Sequence, residues 1–185
     1  MIAKQAQDKN LTFAPSATFK IAAAAIFAAL VAASTLLFVF PIPATSGYFN
    51  LGETLIYVAA LLFGPLVGAV AGAGASIADA LVAVQYAPGT LTIKAIEGFL
   101  VGYLTKKINH KINNLTVSAS IAIVIGGLEM VAGYFLYETL VLSYPVAAAA
   151  LEVPFNVVQM AIGLLIAVPI MHAIFRIFPQ LKSQF

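Results

Sequence analysis

The acidic side chains of this chain lie where its sequence is most hydrophobic. Six of the seven Asp and Glu residues are inside or beside apolar runs long enough to cross a bilayer, and only Asp8 lies in an ordinary polar segment. Placing an ionisable group at membrane depth costs at least ~2.5 kcal/mol. The six acids therefore indicate a polar site inside a membrane protein. They are Glu53, Asp79, Glu97, Glu129, Glu138 and Glu152.

The spacing of the polar residues groups them on helix faces. Of the nine basic residues only Lys94 lies in an apolar run, three positions before Glu97. Residues at i, i+3 and i, i+4 share a face of a helix. The same spacing joins Tyr134 to Glu138, and Glu152 to Asn156 and Gln159.

Long apolar segments must position these side chains. The chain has 185 residues, of which 62% are hydrophobic and 9% charged, whereas a soluble domain has about 25% charged residues. We predict an all-α, polytopic membrane protein with a six-helix bundle over 19–175, between tails at 1–18 and 176–185. The second helix is short for a hydrocarbon core ~30 Å thick. The predicted runs are 19–40, 51–63, 66–84, 90–105, 115–142 and 146–175, with loops or turns at 40–50, 85–89 and 106–114.

The basic residues predict the orientation of the bundle. With six spans, eight of the nine lie on one side of the membrane, and loops on the cytoplasmic side are enriched in Lys and Arg. Both termini are therefore expected in the cytoplasm, and a re-entrant hairpin of the second and third runs would not change this. The eight are Lys4, Lys9, Lys20, Lys106, Lys107, Lys111, Arg176 and Lys182.

Most of the polar residues then fall in the outer half of the bundle. Glu129 lies nearest the middle, and the inner half is apolar. A channel or proton relay would carry polar groups through the whole thickness. The pattern favours a cavity that opens outward, although pairs such as Lys94 and Glu97 could simply neutralise each other between helices.

Small residues form stripes on three of the predicted helices. In the first helix, Ala24, Ala28 and Ala32 make one row, and an adjacent row runs parallel to it. Such stripes let helix backbones approach closely, either within the bundle or against a partner membrane protein. Glycine ridges later in the chain predict internal packing. The second alanine row is Ala25, Ala29 and Ala33, and the ridges are Gly64, Gly68 and Gly72, and Gly98 with Gly102.

Motifs for catalysis or nucleotide binding are missing from the sequence. It has no cysteine, and its two histidines, His110 and His172, lie toward the predicted cytoplasmic side. It has no HExxH, G-x-S-x-G or Walker A sequence. We therefore expect no enzyme activity, no cofactor in this chain and no metal site. ATP-driven work would need another chain, and the basic segment 106–111 is a topology signal rather than a nucleic-acid patch.

Three segments carry a family resemblance. G-Y-F-N-L-G-E-T-L-I-Y-V-A-A-L-L-F-G-P-L-V-G-A-V-A-G (47–72), S-I-A-D-A-L (76–81) and Y-A-P-G-T-L-T-I-K-A-I-E-G-F-L-V-G (86–102) resemble the substrate-binding S components of energy-coupling factor (ECF) vitamin transporters. The resemblance implies six helices with cytoplasmic termini in a prokaryotic cell membrane, and a vitamin bound near the outer face. It also implies that Ala25, Ala29 and Ala33 dock on a transmembrane coupling (T) subunit, which binds two ATPase subunits.

The same segments resemble most the S components for hydroxymethylpyrimidine or pyridoxine. Riboflavin or another vitamin remains an alternative, as do a stand-alone carrier coupled to protons through Glu97 or Glu129 and a membrane scaffold without transport. Because the chain has no tryptophan, a ring-shaped ligand would stack on Tyr or Phe side chains, such as Tyr48, Tyr86, Tyr134 or Tyr137. The residues expected to bind substrate are Asn50, Glu53, Tyr86, Lys94, Glu97, Tyr134, Glu138, Glu152, Asn156 and Gln159.

Overall fold

The computed structural model describes residues 16–42, 45 and 47–184. The predicted tail 1–18 lies almost entirely outside these residues, as does Pro43 in the first predicted loop. At the start of the described chain the Ser16 hydroxyl accepts a hydrogen bond from the Phe19 amide at 3.2 Å. This side chain caps the first helix, as serine commonly does.

Helices make up most of the described chain, and a two-residue antiparallel strand pair lies in the loop predicted over 40–50. Apart from this pair and the connecting turns the described residues are helical, in agreement with the all-α prediction. The helices are α1 (Ala17–Leu37), α2 (Gly52–Phe63), α3 (Pro65–Ala73), α4 (Ala75–Val82), α5 (Ala87–Ile112), α6 (Leu115–Leu140) and α7 (Val146–Ile177), followed by a 3₁₀ helix at Pro179–Gln184; the strands are β1 (Phe40–Pro41) and β2 (Tyr48–Phe49).

Four segments within the described residues are long and apolar enough to cross a membrane: Ala17–Leu37, Pro65–Val82, Leu115–Leu140 and Val146–Ile177. The helix α2 has 12 residues, so at 1.5 Å per residue it extends about 18 Å. The short second helix predicted from the sequence is therefore confirmed. Seven of its residues in a row, Ile56 to Leu62, are buried, because the other helices surround it.

The run predicted over 66–84 is one apolar segment, Pro65–Val82, in which α3 and α4 meet at Gly74, where the chain packs against the Ala28 backbone. Two other predicted boundaries are wrong. The predicted loop 106–114 is helical up to Ile112, because its Lys, Asn and His side chains are compatible with a helix that continues into water. The predicted turn at 85–89 ends early, since α5 begins at Ala87 and its first turn accepts Pro88.

The helices α3 and α5 pack backbone to backbone. A Cβ atom on Gly72 would overlap the carbonyl oxygen of Lys94, and one on Gly98 would overlap that of Gly68. Only glycine permits this approach, so the prediction of internal packing is confirmed for Gly68, Gly72, Gly98 and Gly102, whereas a Cβ atom on Gly64 would meet no atom of the described residues within 4 Å. The contact places Lys94 against α3 and close to α2.

The two alanine rows of α1 have different surroundings. Ala24 and Ala32 are buried, and the part-buried Ala28 packs against Gly74. This row holds α1 against the bundle. The neighbouring row is exposed on the surface of the described structure and consists of Ala25, Ala29 and Ala33.

Candidate functional site

A polar cavity lies at the end of the bundle where α1 leaves for β1, α4 is joined to α5, and α6 is joined to α7. We call this the cavity end. The empty space is about 340 Å³, including the part that opens to solvent. Five parts of the chain contribute to its wall: the segment 47–50, α4, the residue before α5, α6 and α7. The described residues that line it are Gly47, Tyr48, Asn50, Asp79, Tyr86, Tyr134, Glu152, Asn156 and Gln159.

The segment 47–50 is tied to α7 across the cavity. The Asn50 amide donates a hydrogen bond to Gln159 Oε1 at 2.9 Å, and the Asn50 side chain accepts one from the Gly52 amide at 2.8 Å. Gly47 lies so close to the Glu152 carboxyl that a Cβ atom there would overlap it. These contacts hold the segment 47–50 over the cavity, so a movement of Glu152 or Gln159 on α7 would displace this segment.

Tyrosines form a second part of the wall. The Tyr48 hydroxyl donates to the Asp79 carboxylate, and the Tyr134 hydroxyl lies 2.9 Å from Thr90 Oγ1. Burial, and then the nearby Asp79, raise the pKa of the Tyr48 phenol well above its ordinary value, so this loop residue stays protonated and acts as a donor. The ring centroids of Tyr86 and Tyr134 are 6.4 Å apart, and Lys94 Nζ lies 5.3 Å from the centroid of the Tyr134 ring.

Two carboxyl groups share one tyrosine at the mouth of the cavity. The Tyr86 hydroxyl lies 3.4 Å from Glu138 Oε1 and 3.3 Å from Glu152 Oε1. Since a phenol has one proton to donate, it can satisfy only one of them at a time. Glu138 Oε2 is buried without a hydrogen-bond partner in the described structure. This corner of the site is therefore rich in acceptors.

An ion-pair network lies beneath the cavity. Lys94 contacts Glu53 Oε1 and lies 3.4 Å from Glu97 Oε2, with exposed fractions of 3%, 1% and 0% for the three side chains. The Tyr57 hydroxyl donates to Glu97 at 2.7 Å, and Gln159 Nε2 donates to Glu53 at 2.8 Å. Gln159 thus belongs both to the cavity wall and to this network, which connects the two.

The ten residues predicted to bind substrate divide into two groups in the structure. Six line the cavity, while Glu53, Lys94 and Glu97 form the network beneath it and Glu138 lies behind Tyr86. Glu129 is half-buried, and its buried Oε2 atom has no hydrogen-bond partner among the described residues. The six on the wall are Asn50, Tyr86, Tyr134, Glu152, Asn156 and Gln159.

Three further wall residues, Gly47, Tyr48 and Asp79, were not in the predicted set. Asp79 had the same signal as the other embedded acids, a carboxylate inside an apolar run. Tyr48 and Gly47 lie in the loop next to Asn50, so their sequence position alone does not say which way they face. The contacts of Tyr48 with Asp79, and of Gly47 with Glu152, place them on the wall.

Apart from Lys94, the described basic side chains lie toward the opposite end of the bundle, which we call the basic end. There the His172 ring lies 2.8 Å from Thr116 Oγ1, and Arg176 and Lys182 border a separate surface depression. His172 is 13 positions beyond Gln159 on α7, or about 20 Å along the helix. Within 16–42, 45 and 47–184, no group of three or more His, Asp or Glu residues could hold a metal ion.

Comparisons with known proteins point to one transporter family. Residues 16–176 match the family model described as "ECF-type riboflavin transporter, S component". A Pyrococcus woesei protein described as an uncharacterized protein in the gap 3′ region is 36% identical over 137 residues, which are 74% of this chain and 88% of that protein.

Two solved structures share the fold. The S component of a bacterial ECF transporter superposes with a TM-score of 0.68 at 15% identity, over 88% of this chain and 99% of that one. The S component for biotin from an ECF-type ABC transporter gives 0.66 at 17% identity, over 88% and 95%. At these identities the likeness concerns the arrangement of the helices alone.

Proposed function

Because this chain belongs to the S-component family of ECF-type transporters, we propose that it captures a small water-soluble vitamin in the polar cavity and delivers it through an ATP-driven partner module. S components of this family bind a vitamin and pair with a T subunit and ATPase subunits. The observation that carries the proposal is the cavity itself, a concave site with tyrosine rings and convergent amide and carboxylate groups.

We propose that the cavity end faces the outside of the cell. Counting α3 with α4 as one crossing and α2 as a short one, the chain crosses the membrane six times. The basic end would then be cytoplasmic, together with both termini, because Lys and Arg are retained on that side. The apolar inner half gives a bound ligand no polar route through the protein, which supports delivery by movement of the whole subunit.

The ligand is proposed to be a compact ring compound such as hydroxymethylpyrimidine or pyridoxine. The cavity is narrow, since only about 30 Å³ of it is free for the centre of a water molecule, and its tyrosines can stack on one ring. Riboflavin is the second candidate, because the matching family model is described as a riboflavin S component. A three-ring ligand would require the segment 47–50 to move outward.

Mass spectrometry of the ligand that co-purifies with the protein tests this proposal, followed by calorimetric titration with the compound found. We expect Asn156→Ala to weaken binding, because its side chain lies on the wall and can donate to the ligand. Gln85→Ala is the matched control, an amide near the same end that does not line the cavity. Equal affinities of the two variants would contradict the proposed site.

We propose that the exposed row Ala25, Ala29 and Ala33 is the surface that docks on the T subunit. Small side chains permit close helix approach in a membrane, and this row faces away from the bundle. Ala29→Leu should lower the yield of complex on co-purification with the T and ATPase subunits and leave vitamin affinity unchanged. Ala161→Leu, at an exposed position of α7, is the control, and a normal yield for Ala29→Leu would refute the docking surface.

Transport by this protein alone would point to a stand-alone carrier instead. Glu97 and Glu129 lie deepest among the acids and would carry the protons in such a mechanism. Reconstituted in liposomes without partners, an S component should bind the vitamin but not accumulate it under a proton gradient. Gradient-driven uptake by the lone protein would refute the proposed function.

A further inference from the structure

We infer that the cavity takes an uncharged or cationic ligand that donates hydrogen bonds, and rejects forms of the vitamin that carry a phosphate or carboxylate group. This inference rests on the proposed function and defines the chemical class of its substrate. It follows from the charges and hydrogen-bond donors around the cavity.

The wall of the cavity carries negative groups and no positive one among the described residues. Asp79 and Glu152 both contribute carboxyl groups, and none of the nine described wall residues is Lys, Arg or His. Like charges brought together across a binding site act against the wrong partner, so an anionic group would meet repulsion here.

Lys94, which lies beneath the cavity, does not make the net charge around the cavity positive. Lys94 is paired with two carboxyl groups, those of Glu53 and Glu97, so its positive charge is already balanced. The next basic residue along α5, Lys106, is 12 positions away, or about 18 Å along the helix. Lys94 Nζ lies 5.3 Å from the centroid of the Tyr134 ring, but a phosphate in the cavity would have to compete with Glu53 and Glu97 for its charge.

The hydrogen bonds at the mouth leave acceptors without donors. Tyr86 can donate to only one of Glu138 and Glu152 at a time, and Glu138 Oε2 is buried without a partner in the described structure. A buried acceptor without a donor is costly. A ligand N–H, O–H or cationic group that donates to Glu152 Oε1 would leave the Tyr86 proton to Glu138 Oε1.

Paired titrations of the purified full-length protein test the inference. Each free compound is compared with its phosphate: pyridoxine with pyridoxine 5′-phosphate, hydroxymethylpyrimidine with its phosphate, and riboflavin with flavin mononucleotide. For the compound that binds, we expect the Kd of its phosphate to be higher by a factor of about 100 or more. Calorimetry gives both constants directly.

A charge-neutralising variant separates the electrostatic cause from a steric one. Glu152→Gln should reduce the ratio of the Kd of the phosphate to the Kd of the free compound by about tenfold. Glu129→Gln, which removes a carboxylate that does not line the wall, should leave this ratio unchanged. An unchanged ratio in Glu152→Gln overturns the inference. So does a phosphate that binds as tightly as the free compound, although the proposed function then stands. If none of the three free compounds binds, the proposed ligands are wrong and the inference is wrong with them.

Discussion

Replacing Lys94 with methionine should destabilise the folded protein by about 4 kcal/mol at pH 7. The variant removes the positive partner of Glu53 and Glu97, whose side chains are almost completely buried. Breaking a buried ion pair from one side costs about 3–5 kcal/mol, because it leaves a buried charge without compensation. Methionine keeps most of the lysine's volume, so the expected loss is electrostatic rather than a cavity effect.

The loss of stability in Lys94→Met also has an upper limit, which depends on pH. The variant can avoid the additional unpaired charge by binding one proton, and neutralising a glutamate of ordinary pKa near 4.3 costs about 3.7 kcal/mol at pH 7. At pH 5 the same step costs only about 1 kcal/mol. The destabilisation should therefore shrink as the pH falls, because the proton becomes easier to bind.

A second substitution should restore stability. Lys94→Met combined with Glu53→Gln removes one charge of each sign, so the network keeps its net charge and needs no additional proton. Neutral replacement of a buried pair is often close to neutral in free energy. Unfolding in mixed micelles with SDS, followed by circular dichroism at pH 7 and pH 5, measures all three proteins, with Lys106→Met on the exposed end of α5 as the control.

Equal stability of the Lys94→Met single variant and the wild type would refute this reasoning, as would a loss that does not change between pH 7 and pH 5. The same proteins decide whether Lys94 touches the ligand. If it only supports Gln159 from below, through Glu53, the double variant should recover part of the vitamin affinity along with stability. If it binds the ligand directly, stability returns and affinity does not.

Two further predictions concern glycines at close contacts. Gly72→Ala should lower the free energy of unfolding by about 3 kcal/mol or more, the upper end of the range of about 1–3 kcal/mol for overpacking, because its Cβ would meet the Lys94 carbonyl, which cannot turn away. The control is Gly133→Ala, whose Cβ would lie 3.1 Å from adjustable atoms of Ile93. Equal SDS unfolding of the two variants would contradict the prediction. Gly47→Ala should push the Glu152 carboxyl away and weaken vitamin binding about tenfold, the value of one hydrogen bond, with little change in stability; unchanged affinity by calorimetry would show that the loop does not shape the site.

Local patterns in the sequence predicted much of the helical framework. Apolar runs separated by Pro, Gly and polar residues placed α1, α6 and α7 to within a few residues, since membrane helices must satisfy their backbone hydrogen bonds internally. The predicted boundaries were wrong where the sequence is compatible with either a helix or a loop. The segment after Thr105 reads as a polar loop, but its residues continue α5 because nothing in it ends a helix before Asn113, which takes a left-handed conformation at φ 52°.

The spacing of polar residues identified the polar helix faces, but not which residues line the cavity and which lie beneath it. Glu152, Asn156 and Gln159 share a face of α7 by spacing alone, and all three line the cavity. Lys94 and Glu97 share a face of α5 just as clearly, yet they lie beneath the cavity because Glu53 of α2 meets them there. That meeting joins residues about forty positions apart.

The sequence by itself determined that this is a membrane protein with an acidic interior and a basic end, because the cost of burying charge and the placement of lysines act on each residue separately. It could not decide which alanine row of α1 faces outward, since both rows have the same spacing. Only the packing of Ala28 against Gly74 settles that. The tertiary structure likewise decided which acids face a ligand and which hold Lys94, because ion pairs and cavity walls depend on contacts between helices that are distant in sequence.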